Sequence, residues 1–444
     1  MPRSLPPFQL LAAVLVAVPG TYLGGAYYLG LPHPELPAPL AASVYGIAIV
    51  AAAFVLSWAA EAAQVDVSAG LALAVLALLA VLPEYAVDFV FSLQAGHVYG
   101  ATGECTPGPG GENPCSLALA NMTGANRVLV GVGWPLVVLV ATLAALRARR
   151  GEDGSDANTR PGLVTMPRKM SAEIVFLGIA TLYSLHLPLR SSLTLVDAAV
   201  LVSIFAAYAA RLSQAPPEEP DLRGTAAWVG GLDRGPRRTV YIGMFAAAAI
   251  VILASAEHFA ESLVQTGADL GVDEFLLVQW VAPLASEAPE LIVACLYAAR
   301  LKAADSLGTL LSSKVNQWTL LVGTIPIVFA LAAGGFSGLP LDEHQRLELL
   351  LTATQSLFAV GILVTLGISV RGASALFVLF AVQFAASLTL PTDTGRVVLL
   401  AMSGVYVLLA VAQFVRHRHE LLRTSRDGLV TPYEELEEAD RVAK

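Results

Sequence analysis

The chain has 444 residues, 56% of them hydrophobic and 14% charged, with a mean hydropathy of +0.68. A soluble domain carries about a quarter charged residues, so this composition excludes one and places the chain in a bilayer. The net charge of −9 is spread over loops and core, which argues against nucleic-acid binding and against a basic membrane-surface patch.

In chain order, Phe8–Leu31 is uncharged and apolar, preceded only by Arg3. Leu10–Val18 and Gly24-Gly25-Ala26 match the apolar region and cleavage site of a signal peptide, but the length favours a retained membrane helix. Further apolar spans are predicted at about 40–64, 69–95, 116–146, 172–189 and 193–212. The second half gives about 239–265, 274–299, 305–333, 347–369, 372–390 and 395–415. The expected fold is an all-α polytopic membrane protein of about 12 spans, two inverted five-helix repeats with an extra helix at each end. The division is 1–37 for the first extra helix, 38–213 and 239–391 for the repeats, with a linker at 214–238. The last extra helix takes 392–416 and a polar tail 417–444, read as a solvated surface helix.

Lys and Arg set the orientation. With the N-terminus inside, 21 of the 26 basic residues fall on the cytoplasmic side, three fall outside, and Arg127 and Lys314 lie within spans. The positive-inside rule therefore predicts N-in and C-in, in the plasma membrane. Cys105 and Cys115 flank a Pro/Gly-rich loop on the outer side, where an oxidising compartment favours a disulfide. Cys295, inside a span, reads as a packing residue.

The chemistry concentrates in Val281–Thr324. Glu287 and Glu290 surround Pro289, and Ser312, Ser313, Lys314 and Asn316 follow Gly308. A second copy stands in the first half: Leu82-Pro83-Glu84 matches Ala288-Pro289-Glu290, and Ala120–Asn126 matches Gly308–Lys314. The copies differ in spacing by 18 positions, which one insertion at His97–Cys115 accounts for. A carboxylate at the bilayer centre costs about 2.5–3.5 kcal/mol or more, so two at equivalent positions mark an ion pathway. Each follows a proline, which removes a backbone donor and breaks or kinks the helix, freeing carbonyls for a cation.

Pro-Glu in one helix, then Gly-x-x-x-small-small-polar in the next, resembles the α-repeats of the Ca2+/cation antiporter superfamily, the sodium/calcium exchanger type. The resemblance implies secondary antiport of Na+ and/or Ca2+ against Na+ or H+ by alternating access. It implies a cation site from Glu84, Asp88, Asn121, Asn126, Ser286, Glu287, Glu290 and Ser313. The expected partners are the lipid bilayer and the transported cations.

Four charges depart from the family pattern. Asp88, four residues after Glu84, and Glu287, three before Glu290, each place two carboxylates on one helical face. Close carboxylates share protons, which suits proton coupling as well as cation binding. Lys314 stands where the pattern has Asn, and Arg127 one place beyond Asn126. Either can act as a tethered cation in place of a bound ion, and an ion pair of Lys314 with Glu287 or Glu290 is expected. Glu257, His258 and Glu261, with Glu61 loosely similar, form either an external mouth or a polar helix end. No phosphate loop, nucleophile elbow or His-Glu-x-x-His is present, so no enzyme activity and no cofactor are expected. The alternatives are a transport-inactive scaffold or sensor, its site closed by internal salt bridges, and an intramembrane enzyme using the carboxylates.

Overall fold

The computed structural model describes residues 7–66, 82–106, 113–150, 161–216, 222–271 and 274–442. Helix α1 runs Phe8–Leu29, α2 Ala38–Ala63 and α3 Leu82–Thr102. The next span is α4 (Pro114–Val128), a π-helical turn (Leu129–Gly133) and α5 (Trp134–Arg150). Helices α6 (Ser171–Ser184), α7 (Leu195–Leu212) and a short α8 (Gly224–Gly230) follow. The second half has α9 (Arg234–Leu270), α10 (Glu274–Ala299) and α11 (Ala303–Asn316), a π-turn (Gln317–Leu321) and α12 (Val322–Ala332). It closes with α13 (Glu343–Leu363), α14 (Val370–Thr389), α15 (Thr392–Arg416), α16 (Arg418–Leu429) and α17 (Tyr433–Val442).

Among the described residues ten helices are long and apolar enough to cross a membrane, or eleven with the bent α10 taken as one span. The remaining expected span, 69–95, is described from Leu82 onward. The molecule is an all-helical polytopic membrane protein of two inverted repeats, with α1 and α15 as additions.

Four short strands make the inversion visible. Leu163–Thr165 (β1) precedes α6 and Ser192–Leu193 (β2) follows it, while Leu339–Pro340 (β3) precedes α13 and Gly367–Ser369 (β4) follows it. The strand before one helix pairs antiparallel with the strand after the other, β1 with β4 and β2 with β3. Helices α6 and α13, fourth in their repeats, therefore run in opposite directions, as an in-plane two-fold axis demands. The π-turns obey the same relation. They begin 188 residues apart, the separation of Asn126 and Lys314.

Two bodies pack side by side. Helices α2 and α9 lie along one another with α1 and α8 on their flanks, and residues such as Leu56, Val229 and Ile252 form an apolar cluster of their own. The other body joins α3–α7 to α10–α15 through the main core, which Leu23, Ile49 and Phe259 extend into the first. Helix α1 seats closely because Gly24 has no side chain: a Cβ there would come 1.8 Å from the carbonyl oxygen of Ala254 on α9. Small residues four apart, here Gly20 and Gly24, let membrane helices approach backbone to backbone. Glu257 on α9 accepts a hydrogen bond from Tyr28, and the rings of Tyr27, Tyr28 and Tyr45 surround His258 at 4.8–5.4 Å. Glu257 and His258 therefore lie within α9 and pack against α1, away from the helix end expected for them.

Helix α4 starts with Asn113 accepting from the Cys115 N–H and Pro114 at the first position. Cys105 and Cys115 form a disulfide, with Cα atoms 6.0 Å apart. The Cys115 carbonyl accepts from Gln345 and Ser116 donates to Asp342, which tie this end to the start of α13.

The tail differs from the expected solvated helix. Arg211, buried at the end of α7, donates to the carbonyls of Asp427, Gly428 and Thr431 and stacks on the Tyr433 ring at 4.5 Å. Arg168 binds Asp427 at 2.7 and 2.9 Å, and Asp440 accepts from the backbone N–H groups of Arg168 and Lys169. Tyr433 and Leu436 are buried. The acidic run hides an apolar face one helical turn apart, and the basic ends of α6 and α7 receive it.

Candidate functional site

The site forms where α3, α4, α10 and α11 meet. Glu84 lies in the first turn of α3 and Asp88 one turn further. Helix α10 bends by 52° between Phe275–Ala288 and Glu290–Ala299, at the position of Pro289. The bend carries Glu287 and Glu290 to the centre. Helices α4 and α10 cross with no space between their backbones: a Cβ at Gly124 would fall 1.6 Å from the Gln279 carbonyl oxygen.

Glu84 and Glu287 are joined by a common donor, and Glu290 and Asp88 act on Glu84 through space. Gln317, first residue of the second π-turn, donates to Glu84 at 3.2 Å and also to Glu287. Asn121 donates to Asp88 at 2.7 Å, and Tyr85 donates to Asn316 at 3.2 Å. Glu84 and Glu287 are 2% and 1% exposed, so water does not compensate their charge. One oxygen of each of Glu84, Asp88, Glu287, Glu290, Asn121 and Gln317 is buried without a hydrogen-bond partner. Such a surplus of hard oxygen acceptors suits Ca2+ or a proton. Among the described residues no three His, Cys, Asp or Glu side chains converge as metal ligands.

The two basic residues take other partners. Lys314 is fully buried, and its Nζ donates to the backbone oxygen of Asn126 at 2.6 Å and to Asn126 Oδ1 at 2.7 Å. The expected ion pair with Glu287 or Glu290 is not among its contacts. Lys314 and Asn126 are repeat equivalents, so they face each other across the pseudo-two-fold axis, and the amide is nearer than either carboxylate. Glu287 and Glu84 still act on the ammonium through space. Arg127 turns away from the cluster to Glu348 on α13, at 2.5 Å, and stacks over Trp280 at 4.8 Å. Gln279 donates to the same Glu348 at 3.0 Å.

Of the remaining expected residues, Ser286 bonds back to the carbonyls of Ala282 and Pro283. Ser313 Oγ is buried without a partner, and the Asn126 amide also donates to Met122. The stretch before Leu82, which the predicted kink at Pro83 needs, lies outside the described residues. Gln317, Gln279 and Glu348 were not anticipated. Gln317 lies one helical turn beyond Lys314, and that spacing was its available signal.

A membrane transporter built from two inverted repeats around buried carboxylates is the class this fold and site define. Residues 38–213 and 240–415 match the model of the family described as sodium/calcium exchanger protein, and the chain belongs to that family. A crystal structure of the H+/Ca2+ exchanger CAX is 40% identical, with a TM-score of 0.83 over 97% of this chain and 98% of that one. The Ca2+/H+ antiporter protein YfkE shares the fold at 15% identity, with a TM-score of 0.55 over 84% of this chain and 98% of that one. No curated protein matches the sequence.

Proposed function

We propose that the protein exchanges Ca2+ for protons by alternating access. The observation that carries this reading is the Glu84–Glu287 pair. Two buried carboxyls accept from the same Gln317 amide, and no cationic side chain lies within ion-pair distance of either among the described residues. Such a pair releases its proton when a divalent cation supplies the charge, and takes it back when the cation leaves. Glu290, Asp88 and the Gln317 carbonyl oxygen are the further ligands available to the ion. Glu84 and Glu290 sit together in the larger body, so a movement of the α1, α2 and α9 body across them can present them to either face. Lys314, buried within reach of the field of Glu287 and Glu84, acts as a resident cation that reduces the number of metal ions the site takes. The 40% identity to an H+/Ca2+ exchanger supports the choice of ions. The scaffold reading needs the carboxylates closed by salt bridges, and the two basic residues bond elsewhere.

The experiment is uptake of labelled Ca2+ into liposomes holding the purified full chain, with and without a pH gradient. Uptake driven by the gradient is expected. Glu84→Gln and Glu290→Gln should abolish it while inserting and folding normally. Uptake that follows a Na+ gradient and ignores pH would replace the proton with sodium.

A further inference from the structure

Arg127 and Glu348 form a charge pair that the exchange step does not use. They are 1% and 2% exposed, and their side chains meet at 2.5 Å. A buried network holds both. Gln279 on α10 donates to Glu348 at 3.0 Å and to Thr123 Oγ1 at 3.3 Å. Arg127 Nε donates to the Thr123 carbonyl at 3.3 Å, and Gln355 on α13 donates to the Arg127 carbonyl at 3.4 Å. His344, one turn before Glu348, faces its other oxygen at 3.8 Å.

Two observations set the pair apart from ordinary packing. The fold does not demand a cation at this position. Val315 stands 188 residues after Arg127, the separation that relates Asn126 to Lys314, and it lies in the apolar core. Arg127 also follows Asn126 directly, and Asn126 supplies both oxygens that receive the Lys314 ammonium. A second positive charge is thus carried one peptide unit from the anchor of the first. Glu348 is the one carboxylate within ion-pair distance of it among the described residues.

We propose that Glu348 is a charge-balancing residue that sets the affinity of the exchange site for divalent cations. It cancels Arg127, so an entering Ca2+ is opposed by Lys314 but not by the guanidinium. An arginine cannot shed its proton, so without Glu348 it would keep a full charge where screening is poor. The assignment rests on the Ca2+/H+ reading.

The test is calorimetric Ca2+ titration of the purified full chain, at about pH 8, above the ordinary range of an imidazole. Glu348→Gln should weaken Ca2+ binding about tenfold, the scale of one unit charge at an effective dielectric of about 20. Glu348→Asp, which keeps the charge, should restore most of it. Arg127→Met should melt earlier yet bind Ca2+ no more weakly, since a buried carboxyl left alone takes up a proton. The double variant Arg127→Met, Glu348→Leu should keep the unaltered affinity. If Glu348→Gln does not fold, these two still decide, because weaker binding in either would overturn the proposal. Affinity falling with melting temperature in both Glu348→Gln and Arg127→Met would make the pair a structural brace. Unchanged affinity in Glu348→Gln would place Arg127 out of electrical reach of the site. No Ca2+ binding by the unaltered protein would sink the exchange reading itself, a result distinct from the others.

Discussion

At the scale of single residues, the four charges that depart from the family pattern behave in two ways. The acids Asp88 and Glu287 join the central cluster, whereas the bases avoid it. A buried ion pair is costly to break because the surviving charge has neither water nor partner. Arg127→Met alone should therefore destabilise the protein by about 3–5 kcal/mol. The double variant Arg127→Met, Glu348→Leu should recover most of that loss, since an apolar pair of similar volume avoids the desolvation cost. Melting temperatures of the two variants in detergent check this, and a double variant no better than the single one would refute it. The carboxylates at Glu84, Glu287 and Glu290 were legible because charge inside an apolar run is conspicuous. Glu348 was not, because it stands at the edge of its predicted span and reads there as a helix end. The partner of Lys314 was missed because charge complementarity favoured a carboxylate, while the repeat axis brought Asn126 closer.

At the scale of elements, hydrophobic runs and Pro/Gly punctuation located the spans, and the duplicated Pro-Glu motif located the repeats. The π-turns and the tail docking were not legible, since both depend on contacts between distant segments. The α4–α10 crossing carries the most stringent steric demand. Gly124→Val should prevent the helices from closing over Gln279, lowering melting temperature and Ca2+ exchange together, because overpacking at a backbone contact costs about 1–3 kcal/mol or more. The tail gives a pH prediction. Burial, with Glu173 adding to it against the pull of Arg211, pushes the Tyr433 hydroxyl from 10.0 up to about 12. The docked segment thus holds this proton more tightly than the free one. The contribution of this proton to docking should be constant below pH 10 and be lost as pH rises from 10 through 12. Protease sensitivity of the tail, followed against pH at low temperature, reads the change. Tyr433→Phe should remove that alkaline step.

At the scale of the whole molecule, geometry and charge address different questions. The strand pairs and docked tail fix which parts share a face. Arg168, the end of α13 at Val364 and residues 424–440 lie together, while the Cys105–Cys115 disulfide and the start of α13 lie at the other end. Which face meets the cytoplasm follows from the basic residues. They crowd the tail-bearing end, and the translocation of positively charged loops is disfavoured. The docked tail is therefore expected inside, and the disulfide outside in an oxidising compartment. The prediction can be read on intact cells. With Cys105, Cys115 and Cys295 replaced by Ser, a cysteine at Glu104 should react with a membrane-impermeant thiol reagent added outside. One at Arg426 should react only after permeabilisation. The reverse pattern would invert the topology and put the docked tail on the outer face.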